Sequence, residues 1–148
     1  MSNLEMNAID LFRSGLNCAQ AVLVSYHEKL NFDKNLASGF SCGFGGGMGR
    51  MQETCGVVTG AFMVLGVYNS GKYADNKDSK DKTYKMVRDF NAKFWDIHHS
   101  TICKSLLNCD LNTPEGQQQV KEQNLHEKVC EKCISSSIKI LEELMNAN

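Results

Sequence analysis

Proline occurs once in the 148 residues, at Pro114, and apolar residues recur at three- and four-residue spacing over nearly the whole chain. The strict apolar–polar alternation of a half-buried strand is scarce. The expected fold class is therefore all-α: an irregular helical bundle with a glycine-rich loop before a buried central helix. No repeat or composition shift divides the chain, so residues 1–148 are read as one domain, long enough to bury an ordinary core.

The first amphipathic set, Leu4, Ile9, Leu11, Phe12 and Leu16, ends near Gly15. Asn17 is then a plausible N-cap for a second helix carrying CAQAVLVSYHEKL. A short segment from Asp33 to Phe40 leads into the glycine tract. TCGVVTGAFMVLGVY, from Thr54 to Tyr68, is apolar on nearly all sides and predicts a buried central helix. A polar loop rich in lysine and aspartate precedes a long helix from about Ser79 to His98, with Tyr84, Val87, Phe90, Phe94 and Ile97 as its apolar face. A short helix holds ICKSLL, and Thr113-Pro114 has the form of an N-cap followed by a first-turn proline. The last helix, roughly Leu125 to Met145, is expected to bury Val129, Cys133, Ile134, Ile138, Leu141 and Leu144 or Met145.

A formal net charge of −1 provides no basic field for nucleic acid. No uncharged apolar run approaches the ~20 residues that span a bilayer. The Met1 start shows no basic stretch followed by an apolar one, so a secretory signal is not expected and the expected compartment is the cytoplasm. There the seven cysteines are informative. An odd number in a reducing compartment points to metal, cluster or thiol redox chemistry rather than to a disulfide framework. A buried cysteine packing as a small hydrophobe is the plain alternative for any one of them.

The stretch SCGFGGGMGRMQETCGVVTG, Ser41 to Gly60, invites a phosphate-cradle reading that does not survive its register. Gly49 is followed by Arg50-Met51 where a P-loop needs Lys-Ser/Thr, and Gly43, Gly45 and Met48 break the dinucleotide pattern. What remains is permissive backbone, with Gly43, Gly45, Gly46 and Gly47 placed to pass close to a bound group. Gly56 and Gly60 lie four apart on one helical face, where small residues admit a neighbouring helix.

Cys18, Cys55 and Cys103 each fall at an expected helix start, where unpaired N–H groups favour thiolate over thiol. Cys130 and Cys133 form C-x-x-C inside the last helix. There is no second such pair for zinc and no βαβ setting for a thioredoxin-like site. His98 and His99 stand shortly before Cys103, whereas His27 and His126 read as surface residues. Intervals of this length mean that any shared site must be assembled by tertiary packing.

Taken in order, NCAQAV at Cys18, GFGGGMGRMQETCGVVTGAFMVLG at Gly43 to Gly66, CKSLLNCDL at Cys103 and VCEKCISSSIKILEEL at Cys130 resemble the C_GCAxxG_C_C family. These are small bacterial and archaeal proteins assigned a redox role. The similarity covers most of the chain, with Val57 standing where the family name has alanine. It maps the family's four cysteines onto Cys18, Cys55, Cys103 and Cys130, with Gly56 and Gly60 in the central motif, and leaves Cys42, Cys109 and Cys133 without a counterpart. It implies a redox role and a bound prosthetic group. Split-Soret cytochromes, which carry a non-haem iron centre, have a similar pattern, but this chain lacks the C-x-x-C-H of covalent haem attachment.

Three functions follow as expectations. The leading one is electron transfer through an iron–sulfur cluster, with 2Fe–2S considered, held by Cys18, Cys55, Cys103 and Cys130. The second is a metal-free thiol–disulfide oxidoreductase in which Cys55 attacks and Cys130, Cys103 or Cys18 resolves. The third is a non-catalytic zinc-binding module. The expected partner is a redox protein, with neither nucleic acid nor membrane. A homo-oligomer that shares the cluster between subunits is compatible with the sequence.

Overall fold

The computed structural model describes residues 1–147. The fold is all-α, and among the described residues the only β-type pairing is an isolated antiparallel bridge between Thr54 and Ile102. The helices are α1 (Asn3–Arg13), α2 (Cys18–Ser25), α3 (His27–Leu30), α4 (Lys34–Ser41), α5 (Gly56–Lys72), α6 (Asn76–His98), α7 (Cys103–Leu107), α8 (Pro114–Glu122) and α9 (Glu131–Asn146). None of them is long and apolar enough to cross a membrane.

Local chemistry sets most of the helix starts. Asn17 and Gln20 form a reciprocal capping box at α2, with Gln20 N–H donating to Asn17 Oδ1 at 3.0 Å and Asn17 N–H donating to Gln20 Oε1 at 2.9 Å. Thr113 caps α8 with Pro114 in its first turn. Asp33 caps α4, so the segment expected only as a short link is a helix whose start was signalled by that aspartate.

Helices α2 and α5 form the centre. Every residue of α2 after Cys18 is buried, as is most of the first half of α5. Two glycines bring them together: a Cβ on Gly56 would stand 2.8 Å from the Ala19 amide nitrogen, and one on Gly60 would stand 2.8 Å from the Ala19 carbonyl oxygen. Around this pair, α1, α6 and α9 close the core with Ile9, Phe90, Phe94, Ile134, Ile138 and Leu141.

Two expectations about packing are corrected. On α6 the buried stripe is Met86, Phe90 and Phe94, while Tyr84 and Ile97 face solvent at 56% and 54% exposure. The helix bends its apolar face toward α5 and α9 along an i, i+4 row, which a window of mixed spacing does not resolve. The last helix is not uniform either. Residues His126–Cys130 form one π turn ahead of α9, which leaves Val129 only half-buried.

The glycine tract is a tight loop in which five successive residues, Gly46, Gly47, Met48, Gly49 and Arg50, have φ between 60° and 68°. Gln52 follows at 57°. Bonds from the Gln52 and Glu53 amides to the Gly46 and Gly47 carbonyls, at 3.1 and 2.9 Å, fold the loop back on itself.

Candidate redox site

The loop, α2, the start of α5, α7 and the π turn enclose a cavity of about 270 Å³. Cys18, Cys55, Cys103, Cys130 and Cys133 all line it. Apolar side chains of Phe12, Leu16, Leu106, Leu107, Leu111 and Val129 make up most of the remaining wall, with Arg50 and His126 as its charged or titratable members.

Each cysteine reaches the cavity by a separate device. Cys18 is the first residue of α2, directly after the capping box. Cys55 is the N-cap residue of α5, and Cys103 opens α7. The Thr54–Ile102 bridge holds those two side by side: Cys55 N–H donates to Thr101 O and Cys103 N–H to Glu53 O, both at 2.7 Å. Cys130 closes the π turn, and Cys133 follows on the buried face of α9.

The six glycines expected near a bound group divide. Gly46, Gly47 and Gly56 line the cavity, and a Cβ on Gly47 would lie 2.7 Å from Cys103 Cβ. Gly45 packs on the Asn17 side chain, Gly60 serves the α2–α5 contact, and Gly43 touches neither. Of the remaining cysteines, Cys42 is exposed on the surface and Cys109 is buried in a small satellite cluster with Cys103, Leu107, Val120 and Leu125.

The thiols are not equivalent. Cys18 donates a hydrogen bond to Cys130; that bond, then burial, keeps the Cys18 thiol protonated well above its ordinary range. Burial pushes Cys55 up strongly, followed by the nearby Cys133 sulfur. The Val57 amide favours the Cys55 thiolate without closing a capping hydrogen bond. Burial likewise raises Cys103 to about 11 and Cys133 to about 12. Cys130 alone moves the other way, to about 6, because Cys18 and then His126 hydrogen-bond to its sulfur. His126 is raised in turn by the same contact. Crowded thiols in a low-dielectric pocket thus leave room for one thiolate, and Cys130 takes it.

His126 is exposed, as the sequence suggested, but the sequence reading assigns it no part in the site. Its ring packs edge-on against Phe12 at 5.8 Å and lines the cavity beside Cys130. Its position four residues before Cys130 could have signalled this, had the local turn been known. His98 instead tilts against Phe94 and pairs with Ser136 at 2.9 Å, while His99 is the left-handed C-cap of α6.

The model of the family described as "Putative redox-active protein (C_GCAxxG_C_C)" matches residues 16–144. The chain belongs to this family. No curated protein and no solved structure matches it. The matched span of this C_GCAxxG_C_C protein contains all five cavity cysteines.

Five soft sulfurs around one pocket suit a thiolate-bound group. Among the described residues, no three His, Cys, Asp or Glu side chains converge as a ready-made site for a single metal ion. The pocket is wider than one ion fills and smaller than the ~300–1,000 Å³ of sites that enclose drug-sized ligands. A compact group spanning several sulfurs fits that space.

Proposed function

We propose that this protein transfers electrons through an iron–sulfur cluster held by Cys18, Cys55, Cys103 and Cys130. The observation that carries the reading is the gathering of these four sulfurs, from distant parts of the chain, around one small, mostly apolar cavity. When bound, such a cluster supplies one-electron chemistry that no protein side chain here provides.

The chain's own residues have definable roles. Cys18 and Cys55 stand at the starts of α2 and α5, where the helix ends favour negative charge on sulfur. Deprotonation of the buried thiols is costly without a counter-charge, and a cationic iron centre held by them would reverse that preference. Gly46 and Gly47 let backbone approach the pocket where any side chain would collide, and the apolar wall limits water. Arg50 and His126 mark the side on which a redox partner protein would approach. The reading places the protein in the cytoplasm, with no nucleic-acid or membrane partner.

The test is anaerobic purification followed by a visible spectrum and quantification of iron, acid-labile sulfide and zinc. Charge-transfer bands with stoichiometric iron and sulfide support the proposal, and Cys103→Ser should remove them while helicity persists. Zinc alone, or a colourless metal-free protein, overturns it.

The hydrogen bond between Cys18 and Cys130 favours a second reading, a thiol–disulfide oxidoreductase. Here Cys130 rather than Cys55 is the attacking thiolate. It displaces one thiolate from a substrate disulfide, forming a mixed disulfide. Cys18, giving up its proton, then displaces the second thiolate and forms Cys18–Cys130. Turnover of a small disulfide by metal-free protein, abolished in Cys130→Ser, would support this reading.

A further inference from the structure

The cavity presents five sulfurs where the proposed cluster takes four. The fifth, Cys133, sits 2% exposed on α9, in the same apolar cluster as Cys55 and Val57. Its placement is fixed by a contact one turn further along. Ser137, four residues on and on the same helical face, donates through Oγ to the Val57 carbonyl at 2.8 Å, and both residues are fully buried. Val57 lies in the first turn of α5, two residues after Cys55. The bridge therefore pins this face of α9 against the start of α5 and sets Cys133 next to Cys55 on one wall of the cavity.

We infer that Cys133 is a fifth thiolate donor of this cavity, interchangeable with Cys55 as a ligand to the sulfur-bound group. The inference rests on the metal-thiolate reading of the site. Cys18 and Cys103 enter from other elements, and Cys18 and Cys130 are already joined by their own hydrogen bond, so Cys133 is the sulfur held beside Cys55. On the Cys55 wall, either sulfur can complete a four-thiolate set by rotation about its χ1. Loss of a proton from Cys133 accompanies its binding, as for any thiolate ligand.

The experiment compares wild type with Cys55→Ala, Cys133→Ala and the double variant, each reconstituted anaerobically with ferrous iron and sulfide. Iron and sulfide per chain and the visible spectrum are the readouts, with far-UV circular dichroism to establish folding. Each single variant should retain iron and sulfide, with a shifted spectrum for Cys55→Ala, and the double variant should lose both. Loss in Cys55→Ala alone, or retention in the double variant, overturns the inference. If an alanine variant does not fold, the serine series gives the same comparison. If wild type takes up no iron and sulfide, the iron–sulfur proposal fails, and cobalt(II) titration of the same variants decides the fifth-donor inference. Thiolate-to-cobalt absorption kept in both single variants and lost in the double upholds it. Any other pattern, including no cobalt binding by wild type, overturns it.

Discussion

Gly56 faces the backbone of Ala19 with no room for a side chain: a Cβ there would lie 2.8 Å from the Ala19 amide nitrogen and 3.0 Å from Cys18 Cβ. The first atom belongs to the main chain of a buried helix and cannot move without moving α2. Gly56→Ala should therefore destabilise the protein by about 1–3 kcal/mol, the usual cost of overpacking. Gly66, in the same helix, has nothing within 4 Å of its would-be Cβ. Gly66→Ala should stabilise by up to about 1 kcal/mol through helix propensity alone. Urea denaturation of both variants checks the contrast, and equal effects would show that close approach is not what Gly56 provides.

Iodoacetamide labelling of the metal-free, reduced protein at pH 7 should modify Cys130 before any other cavity cysteine. Its folded-state value of about 6 leaves it as thiolate, while Cys18, Cys55, Cys103 and Cys133 remain protonated. Peptide mapping gives the order, with surface-exposed Cys42 as an internal standard.

His126→Phe keeps an aromatic ring against Phe12 and removes the hydrogen bond to Cys130. The midpoint of the Cys130 labelling rate against pH should move upward. The shift should be partial, because Cys18 makes the larger contribution and is untouched. An unchanged midpoint would show that the imidazole does not act on this sulfur.

The pH dependence of stability in the metal-free protein follows from the same thiols. Cys130 has its value lowered on folding, so its contribution is present above the unfolded cysteine value of about 8.5 and is lost as pH falls toward 6. Cys103 and Cys133 have theirs raised, so their contribution is present below about 8.5 and is lost as pH rises toward 11 and 12. Denaturation midpoints measured across this range should be highest between the two windows. Bound metal should flatten the alkaline arm.

Gln52 is 4% exposed and joins three segments. Its Nε2 donates to Cys109 O at 2.8 Å, its Oε1 accepts from Leu111 N–H at 2.9 Å, and its side chain also hydrogen-bonds to Cys103. Gln52→Leu strands buried backbone groups and should cost about 1–3 kcal/mol. It should also raise the Cys103 thiol further, which pH-dependent labelling would reveal.

Much of this arrangement was legible in the chain because it is written in local chemistry. Asn17 and Thr113 announce the starts of α2 and α8 through capping, and the position of Cys18 follows from the first of these, whereas Cys55 and Cys103 stand at helix starts without a side-chain cap. Gly56 and Gly60 predicted a close helix contact, and α2 provides it. What could not be read depends on packing between distant segments. The π turn that points Cys130 toward Cys18 has no sequence signature of its own. The role of His126 depends on that turn, and the pairing of Cys133 with Cys55 depends on a hydrogen bond between α9 and α5. The exposure of Tyr84 and Ile97 depends likewise on which side of α6 its neighbours occupy.

The loop from Gly46 to Arg50 has a consequence for what the chain can become. Five residues in a row lie in the half of φ space that L-amino acids avoid, at about 1–2 kcal/mol for each one that is not glycine. Met48 and Arg50 already carry that cost, leaving Gly46, Gly47 and Gly49 little freedom to become anything else. Elsewhere the sequence answers to what packs against it; here it answers to chirality. Four of the five cavity sulfurs stand at helix starts, and the loop that shares their cavity runs through positive φ.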